Sequence, residues 1–136
     1  MSQGFLYPYT GLVTVLALMV YVAFAMRVGN ARVKYAVMAP AVTGHPDFER
    51  RFRVQYNTLE QLALLLPALW LCALTVGDLQ AGIGGLVWCF GRIVYAFTYQ
   101  ADPRRRFLGF VLTVLPSLTM LFASAWALLR NISITY

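Results

Sequence analysis

Two sets of polar side chains recur at helical spacing in a sequence that is otherwise strongly apolar. In the first set, Arg53, Asn57 and Glu60 stand at positions i, i+4 and i+7, and Gln61 follows directly. This spacing places the three side chains on one face of an α-helix. Ionisable groups within an apolar segment are costly and usually mark function. We therefore predict that this face forms part of a binding or catalytic site.

The second polar set lies further along the chain. Arg92, Tyr95 and Tyr99 stand at i, i+3 and i+7 and also share one helical face. We expect Tyr99 to lie at a similar depth to the first polar face, so that both faces line one cavity. A purely structural ion pair of Glu60 with Arg92 or Arg53 is an alternative interpretation. It does not explain why an asparagine, a second arginine and two tyrosines accompany that pair.

Three consecutive arginines, Arg104, Arg105 and Arg106, follow a signal for the start of a helix. Asp102 is a typical N-cap, and Pro103 suits the first helical position. The arginines therefore stand in the first helical turn, where the helix dipole disfavours cations. Their side chains and the free backbone N–H groups of that turn together favour an anion site. Basic residues also orient membrane proteins, and this alternative applies to Arg104 and Arg105.

The elements that must position these residues are membrane-spanning helices. Of the 136 residues, 60% are apolar and 12% are charged, whereas a soluble domain has about 25% charged residues. Residues 1–26, 61–77 and 107–129 carry no charge, and residues 79–101 carry only Arg92. A helix needs roughly 20 apolar residues to cross the hydrocarbon core. The sequence therefore predicts an all-α membrane protein, a bundle of four transmembrane helices in one domain over residues 1–136.

Turn and cap residues predict where the four helices begin and end. Asp47 and Glu49 suit the first turn of the second helix, because carboxylates there interact favourably with the helix dipole. The glycines among residues 81–85 allow the third helix to pack closely against its neighbours. We predict helices from about Pro8 to Met26, from Pro46 to about Val76, from the Gly77-Asp78 turn to near Ala101, and from Asp102 onwards.

The basic residues are distributed unevenly between the loops. Nine of the eleven Lys and Arg residues fall in the loops after the first and third spans. By the positive-inside rule these loops are cytoplasmic, and both termini lie outside or in a lumen. The uncharged N-terminal run has no basic segment before it and is too long for a signal peptide, so we expect it to be retained as a span. An aromatic belt is predicted at the outer interface, from Tyr7, Tyr9, Trp126 and Tyr136.

The cysteine and histidine content argues against a metal site. Cys72 and Cys89 both fall inside spans, where we expect them to pack as small apolar side chains. The single histidine, His45, lies in a loop. We therefore expect no metal cofactor, and no nucleic-acid partner.

Residues 48–60 strongly resemble the signature of the MAPEG family, the membrane-associated proteins of eicosanoid and glutathione metabolism. The family pattern is Glu-Arg, a two-residue gap, Arg, three further residues, Asn, and then Glu three residues on. Those positions are filled here by Glu49, Arg50, Arg53, Asn57 and Glu60. The likeness covers essentially the whole chain and continues through Gly85-Leu86-Val87, Arg92, Tyr95, Tyr99 and Arg106.

The chain is most similar to the branch of leukotriene C4 synthase and the microsomal glutathione transferases. That resemblance implies a homotrimer in the membrane, with glutathione bound between adjacent subunits on the cytoplasmic side and Arg106 activating its thiol. Gln61 replaces a tyrosine of leukotriene C4 synthase, and Val33 replaces a second arginine. We therefore expect one glutathione contact and the handling of the lipid substrate to differ. The residues implied to bind glutathione are Arg32, Arg53, Gln55, Asn57, Glu60, Tyr95 and Tyr99.

The implied ligand suits these residue types. Glutathione has two carboxylates, which arginines bind through paired hydrogen bonds, and one ammonium, which suits Glu60. The resemblance implies a glutathione transferase that conjugates glutathione to lipophilic electrophiles from the bilayer, in detoxification, or reduces lipid hydroperoxides as a peroxidase. A non-catalytic lipid-binding or lipid-presenting protein of the same family is the alternative. A small multidrug exporter with one membrane glutamate is a third interpretation, but the arginines here outnumber that glutamate and would repel cationic drugs.

Overall fold

The structure, a computed structural model, describes residues 4–135 as a bundle of four long helices. A short 3₁₀ helix precedes the last of them, and this described range contains no β-strand. The all-α prediction is therefore confirmed, while Tyr136 of the predicted aromatic belt lies outside the described residues. The helices are α1 (Pro8–Lys34), α2 (Pro46–Thr75), α3 (Asp78–Ala101), the 3₁₀ helix (Pro103–Arg106) and α4 (Phe107–Thr135).

Each of the four helices is long and apolar enough to cross a membrane. Within the most apolar stretch of each one, only 22% to 50% of the residues are buried by the rest of the chain. Large aromatic side chains on the outer surface are correspondingly exposed, such as Phe97 at 65% and Phe122 at 67%. An apolar surface of this extent requires hydrocarbon around it. The fold is a four-helix transmembrane bundle.

The predicted bounds of α2 and α3 agree with the structure, whereas the predicted α1 was too short. That helix begins at Pro8 as predicted and continues beyond Met26 to Lys34. The charge-free run marks only the part of a helix that tolerates hydrocarbon. Between Met26 and Lys34 there is no proline, and Gly29 weakens the helix without removing a backbone donor. The backbone hydrogen bonds of α1 therefore continue past the end of the apolar segment, and the helix ends in a basic turn.

Close packing around α2 and α3 organises the bundle. These two helices contact each other, and α1 and α4 both pack against them. A Cβ atom at Gly85 of α3 would overlap the side chain of Val13, and one at Gly109 of α4 would overlap the backbone of Tyr95. The glycines thus permit the close helix packing predicted for α3. Cys89 lies buried in the same core as a free thiol, as Cys72 does.

The N-terminus of α1 is capped from another helix. Tyr7, at the N-cap position, makes no capping hydrogen bond with its own side chain. Instead Asp78, the first residue of α3, accepts hydrogen bonds from the N–H of Tyr9 at 3.0 Å and the N–H of Thr10 at 2.8 Å. The Thr10 hydroxyl donates a third at 2.7 Å. One carboxylate therefore satisfies free donors of α1 and ties it to the start of α3.

We predict that Asp78→Ala lowers the thermal unfolding temperature of the detergent-purified protein by several degrees, because it leaves three donors at the start of α1 without an acceptor. Gln80→Ala, at an exposed position two residues further along α3, is the matched control. Circular dichroism on heating measures both. An Asp78→Ala protein as stable as the Gln80→Ala protein would contradict the capping role.

Candidate functional site

The two polar faces predicted from the sequence meet at one open cavity of about 520 Å³. This volume lies within the roughly 300–1,000 Å³ range of ligand pockets. The cavity is formed by α2, α3, the 3₁₀ helix and the first turn of α4. Three of the predicted site residues, Asn57, Tyr95 and Arg106, line it together. The full lining is Asn57, Tyr95, Arg104, Arg106, Phe107 and Phe110.

Behind this cavity, Arg92 is completely buried between α2 and α3. Its Nη1 donates to Asn57 Oδ1 at 3.0 Å, and its Nη2 donates to Thr58 Oγ1 at 2.8 Å. The guanidinium carbon lies 4.3 Å from the centre of the Tyr95 ring, a cation–π contact. The charge is therefore met by an amide, a hydroxyl and an aromatic ring. The Nε atom of Arg92 has no hydrogen-bond partner.

Glu60 does not form the structural ion pair of the alternative interpretation. Within the described range the one ion pair is Arg105 with Asp102, at 4.0 Å. Glu60 is exposed, and its carboxylate accepts a long hydrogen bond of 3.4 Å from Asn57 Nδ2. Asn57 thus stands between the buried Arg92 and the exposed Glu60. The exposed Glu60 carboxylate, which no arginine of the described range pairs with, can therefore accept hydrogen bonds from a ligand cation beside Asn57.

The tyrosines of α3 are arranged as their spacing predicted. The rings of Tyr95 and Tyr99 stack with their centres 5.5 Å apart and their planes at 21°. Tyr95 is buried, whereas Tyr99 is half-buried. Arg53 is exposed one turn before Asn57 on the same face of α2. A stripe of polar groups therefore runs from the cavity along the end of the bundle that carries the 3₁₀ helix.

The model of the MAPEG family matches residues 10–126. The chain belongs to the MAPEG family. It is 48% identical over 118 residues to an uncharacterized protein of Synechocystis, covering 87% of this chain and 86% of that protein. It is 41% identical over 102 residues to human microsomal glutathione S-transferase 2, covering 74% and 69%. Bovine leukotriene C4 synthase is 34% identical over 116 residues, covering 85% and 70%.

Of the seven residues that the MAPEG resemblance implies as ligands, only Asn57 and Tyr95 line the cavity of their own chain. The five outside the lining are Arg32, Arg53, Gln55, Glu60 and Tyr99. Two of these five, Arg32 and Gln55, make hydrogen bonds elsewhere in the chain. Arg32 donates through Nη1 to the Ala41 carbonyl at 2.7 Å, and its guanidinium lies 4.8 Å from the centre of the Phe48 ring. Gln55 donates to the Tyr21 hydroxyl of α1 at 2.9 Å. It is two residues from Asn57, about 200° around the helix, and therefore faces another side. Their glutathione contacts remain predictions.

The sequence interpretation missed Thr58, because a threonine in an apolar helix is usually satisfied by its own backbone. Its hydroxyl does donate to the Val54 carbonyl at 2.6 Å, but it also accepts from Arg92. A hydroxyl beside Asn57, at the depth of a buried arginine, was the available signal. Phe107 and Phe110, the apolar part of the lining, were also missed, since nothing in a hydrophobic span distinguishes them.

The three consecutive arginines have different environments. Asp102 accepts from the Arg104 N–H at 3.0 Å and is the N-cap of the 3₁₀ helix, so its capping role is confirmed. The arginines lie in this 3₁₀ helix and not in the first turn of α4 as predicted, because the α-helix begins only at Phe107. Arg104 and Arg106 line the cavity. Arg105 does not, and its side chain is 78% exposed. The tight 3₁₀ turn is what separates them, because successive side chains there point about 120° apart.

We predict that Thr58→Val destabilises the protein by about 1.5–3 kcal/mol, since it removes an acceptor from a buried guanidinium at nearly constant volume. Thr119→Val is the control, because the exposed Thr119 hydroxyl bonds only to the backbone carbonyl of Leu115. Unfolding by a denaturing detergent measures both free energies. Equal losses in the two variants would show that Arg92 does not depend on Thr58.

Proposed function

We propose that this chain is a membrane-embedded glutathione transferase that binds glutathione in the cavity of Asn57, Tyr95 and Arg106 and ionises its thiol. The observation that carries the proposal is the convergence of these three residues, from three separate elements, on one cavity at the start of α4. The similarity to a microsomal glutathione S-transferase and a leukotriene C4 synthase supports the same activity.

The charged groups around the cavity suit the two ends of glutathione. Its carboxylates fit the guanidinium groups of Arg53 and Arg104, and its ammonium fits the free carboxylate of Glu60. Arg53 and Glu60 are seven residues apart on α2, roughly 10 Å along the helix axis. An extended tripeptide is also about 10 Å long. Both ends of the ligand can therefore be held at once, with the thiol towards the cavity.

Ionising the thiol is the chemical task that remains. A cysteine thiol with a pKa of about 8.5 is only a few per cent thiolate at neutral pH, and lowering that pKa by about two units needs about 2.7 kcal/mol. The N-terminus of a helix supplies up to about 2 kcal/mol. An arginine about 4 Å from the sulfur supplies roughly 4 kcal/mol in a partly dry site. Arg106, the last residue before α4, combines both contributions.

The second substrate is an apolar electrophile that reaches the thiolate from the bilayer. Phe107 and Phe110 form the apolar wall of the cavity, and both are exposed on the outer surface of α4. The thiolate attacks the electrophilic carbon, and a C–S bond forms as the leaving group departs with the electrons of its bond to that carbon. With a lipid hydroperoxide, the thiolate attacks the terminal oxygen, the O–O bond breaks, and the lipid leaves as an alkoxide that is protonated to the alcohol. A second glutathione then displaces water from the resulting sulfenic acid to give glutathione disulfide. Both reactions use the same ionised sulfur, so one site can serve detoxification and peroxide reduction.

A neighbouring copy of the chain completes the site in this proposal. Arg32 and Gln55 do not line the cavity of their own subunit. We propose that the apolar substrate enters along a groove between α1 and α4. These helices pack on α2 and α3 and not extensively on each other, so such a groove needs two copies of the chain. We therefore propose the homotrimer implied by the family, with the arginine-rich loops and the glutathione site in the cytoplasm and the termini outside or lumenal.

We predict that Arg106→Ala lowers turnover of a halonitrobenzene with glutathione by orders of magnitude, because the thiolate loses its nearest cation. The ultraviolet absorbance of the bound thiolate should appear only at higher pH. Arg105→Ala is the matched control, since its side chain lies outside the cavity. Normal turnover by the Arg106→Ala protein, or equal impairment of both variants, would remove Arg106 from thiol activation.

A further inference from the structure

A second group of arginines surrounds the end of α3 at Gln100. Arg27 of α1 donates to the side-chain oxygen of Gln100, and Arg50 of α2 donates to its backbone carbonyl at 3.0 Å. Arg51 lies beside them, and together with Arg27 and Gln100 it lines a narrow groove. Three guanidinium groups from two helices thus converge on one residue that carries no charge.

No carboxylate of the chain compensates these charges. The sequence has five acidic residues, and all five carboxylates lie away from this group. None lies within 4.0 Å of these three arginines in the described part of the chain. Each carboxylate accepts a hydrogen bond from another group: Asp47 from the Tyr35 hydroxyl, Glu49 from the Gly44 N–H, Glu60 from the Asn57 amide, Asp78 from the N–H groups of residues 9–10, and Asp102 from the Arg104 N–H.

The groove contains a hydrogen-bond donor without an acceptor, and its volume is small. Arg51 Nε is buried and has no hydrogen-bond partner. A buried donor of this kind is costly unless something accepts from it. The space between the side chains is only about 10 Å³, roughly one water-sized atom. The groove therefore fits a single oxygen of a larger group that remains mostly outside.

The groove is separate from the cavity of Asn57 and Arg106. Arg51 and Arg53 are two residues apart on α2, about 200° around the helix axis, and so face different sides. Arg51 also falls in the two-residue gap of the family pattern. The remaining lining, Phe24 and Val54, is apolar. Close by, the Arg27 guanidinium lies 6.0 Å from the ring centre of Phe97, which is exposed on the lipid-facing surface.

We propose that Arg27, Arg50 and Arg51 bind a phosphate group, with one phosphate oxygen in the groove against Arg51 Nε. Guanidinium groups match the tetrahedral oxygens of phosphate through paired, charge-assisted hydrogen bonds. The position at the boundary between exposed apolar side chains and the basic end of the bundle is where anionic lipid headgroups lie. The phosphate is carried by such a lipid or is free inorganic phosphate.

The test uses the full chain in detergent, the variants Arg27→Gln and Arg51→Gln, and the control Lys34→Gln, which removes a charge at the same end of α1. Native mass spectrometry measures how much phosphatidylglycerol and phosphatidylcholine each protein retains. The wild type and Lys34→Gln should retain phosphatidylglycerol preferentially. Each arginine variant should retain on the order of tenfold less, the loss expected for one charge-assisted hydrogen bond.

Equal retention of the two lipids by the wild type, together with no stabilisation of the wild type by inorganic phosphate, would overturn the proposal. Lipid retention and phosphate stabilisation that are undiminished in both arginine variants would also overturn it. Unfolding temperatures distinguish the sources. Stabilisation by inorganic phosphate that is lost in Arg51→Gln identifies free phosphate, whereas stabilisation by phosphatidylglycerol alone identifies the lipid.

Without lipid or phosphate, Arg51→Gln should be at least as stable as the wild type, because repulsion from Arg27 is relieved. A lower unfolding temperature there would assign Arg51 a structural role instead.

Discussion

The buried charge of Arg92 is the constraint on which the site depends. A guanidinium enclosed in a membrane bundle must find hydrogen-bond acceptors within the protein, because hydrocarbon offers none. It finds Asn57 and Thr58 on α2 and the ring of Tyr95 on its own helix. These contacts fix the register of α2 against α3. They also hold the Asn57 amide in one orientation, with its oxygen towards Arg92 and its nitrogen towards Glu60.

The distribution of acidic groups explains why so many arginines remain available for ligands. Four of the five carboxylates, those of Asp47, Glu49, Asp78 and Asp102, lie at or near helix N-termini and satisfy polar groups there. The fifth, Glu60, is exposed and accepts a hydrogen bond from Asn57, which lines the cavity. The formal net charge of +6 is thus not neutralised internally. Both the cavity with Arg106 and the groove with Arg51 are places where this excess positive charge meets space for an anion.

The sequence was sufficient for features that follow from periodicity and from strong end signals. The helical faces of Asn57 and Tyr95, the start of α2 and the Asp102 cap all followed from residue spacing and cap chemistry. Contacts that depend on which helices become neighbours could not be predicted. Asp78 was expected only in a turn, and its role as the cap of α1 requires the two helices to meet in space. Thr58 likewise gains its function from the depth of Arg92 on another helix.

The consecutive arginines illustrate the same limit at short range. Residue type alone made Arg104, Arg105 and Arg106 equivalent in charge, and only the 3₁₀ geometry decides which of them line the cavity. The end of α1 was underestimated for a related reason, since hydropathy reports where the membrane ends and not where backbone hydrogen bonding ends. Local backbone geometry and helix neighbours, which sequence patterns report weakly, decided each of these details.

Calorimetric titration of glutathione into the purified protein tests most directly whether the cavity is a glutathione site. We expect the wild type to bind glutathione and Glu60→Ala to bind it about ten- to hundredfold more weakly, because the ammonium loses a charge-assisted hydrogen bond. Glu49→Ala, which removes an acid of the same helix outside the cavity, should retain wild-type affinity. No binding by the wild type, or unchanged affinity in a folded Glu60→Ala protein, would contradict the account.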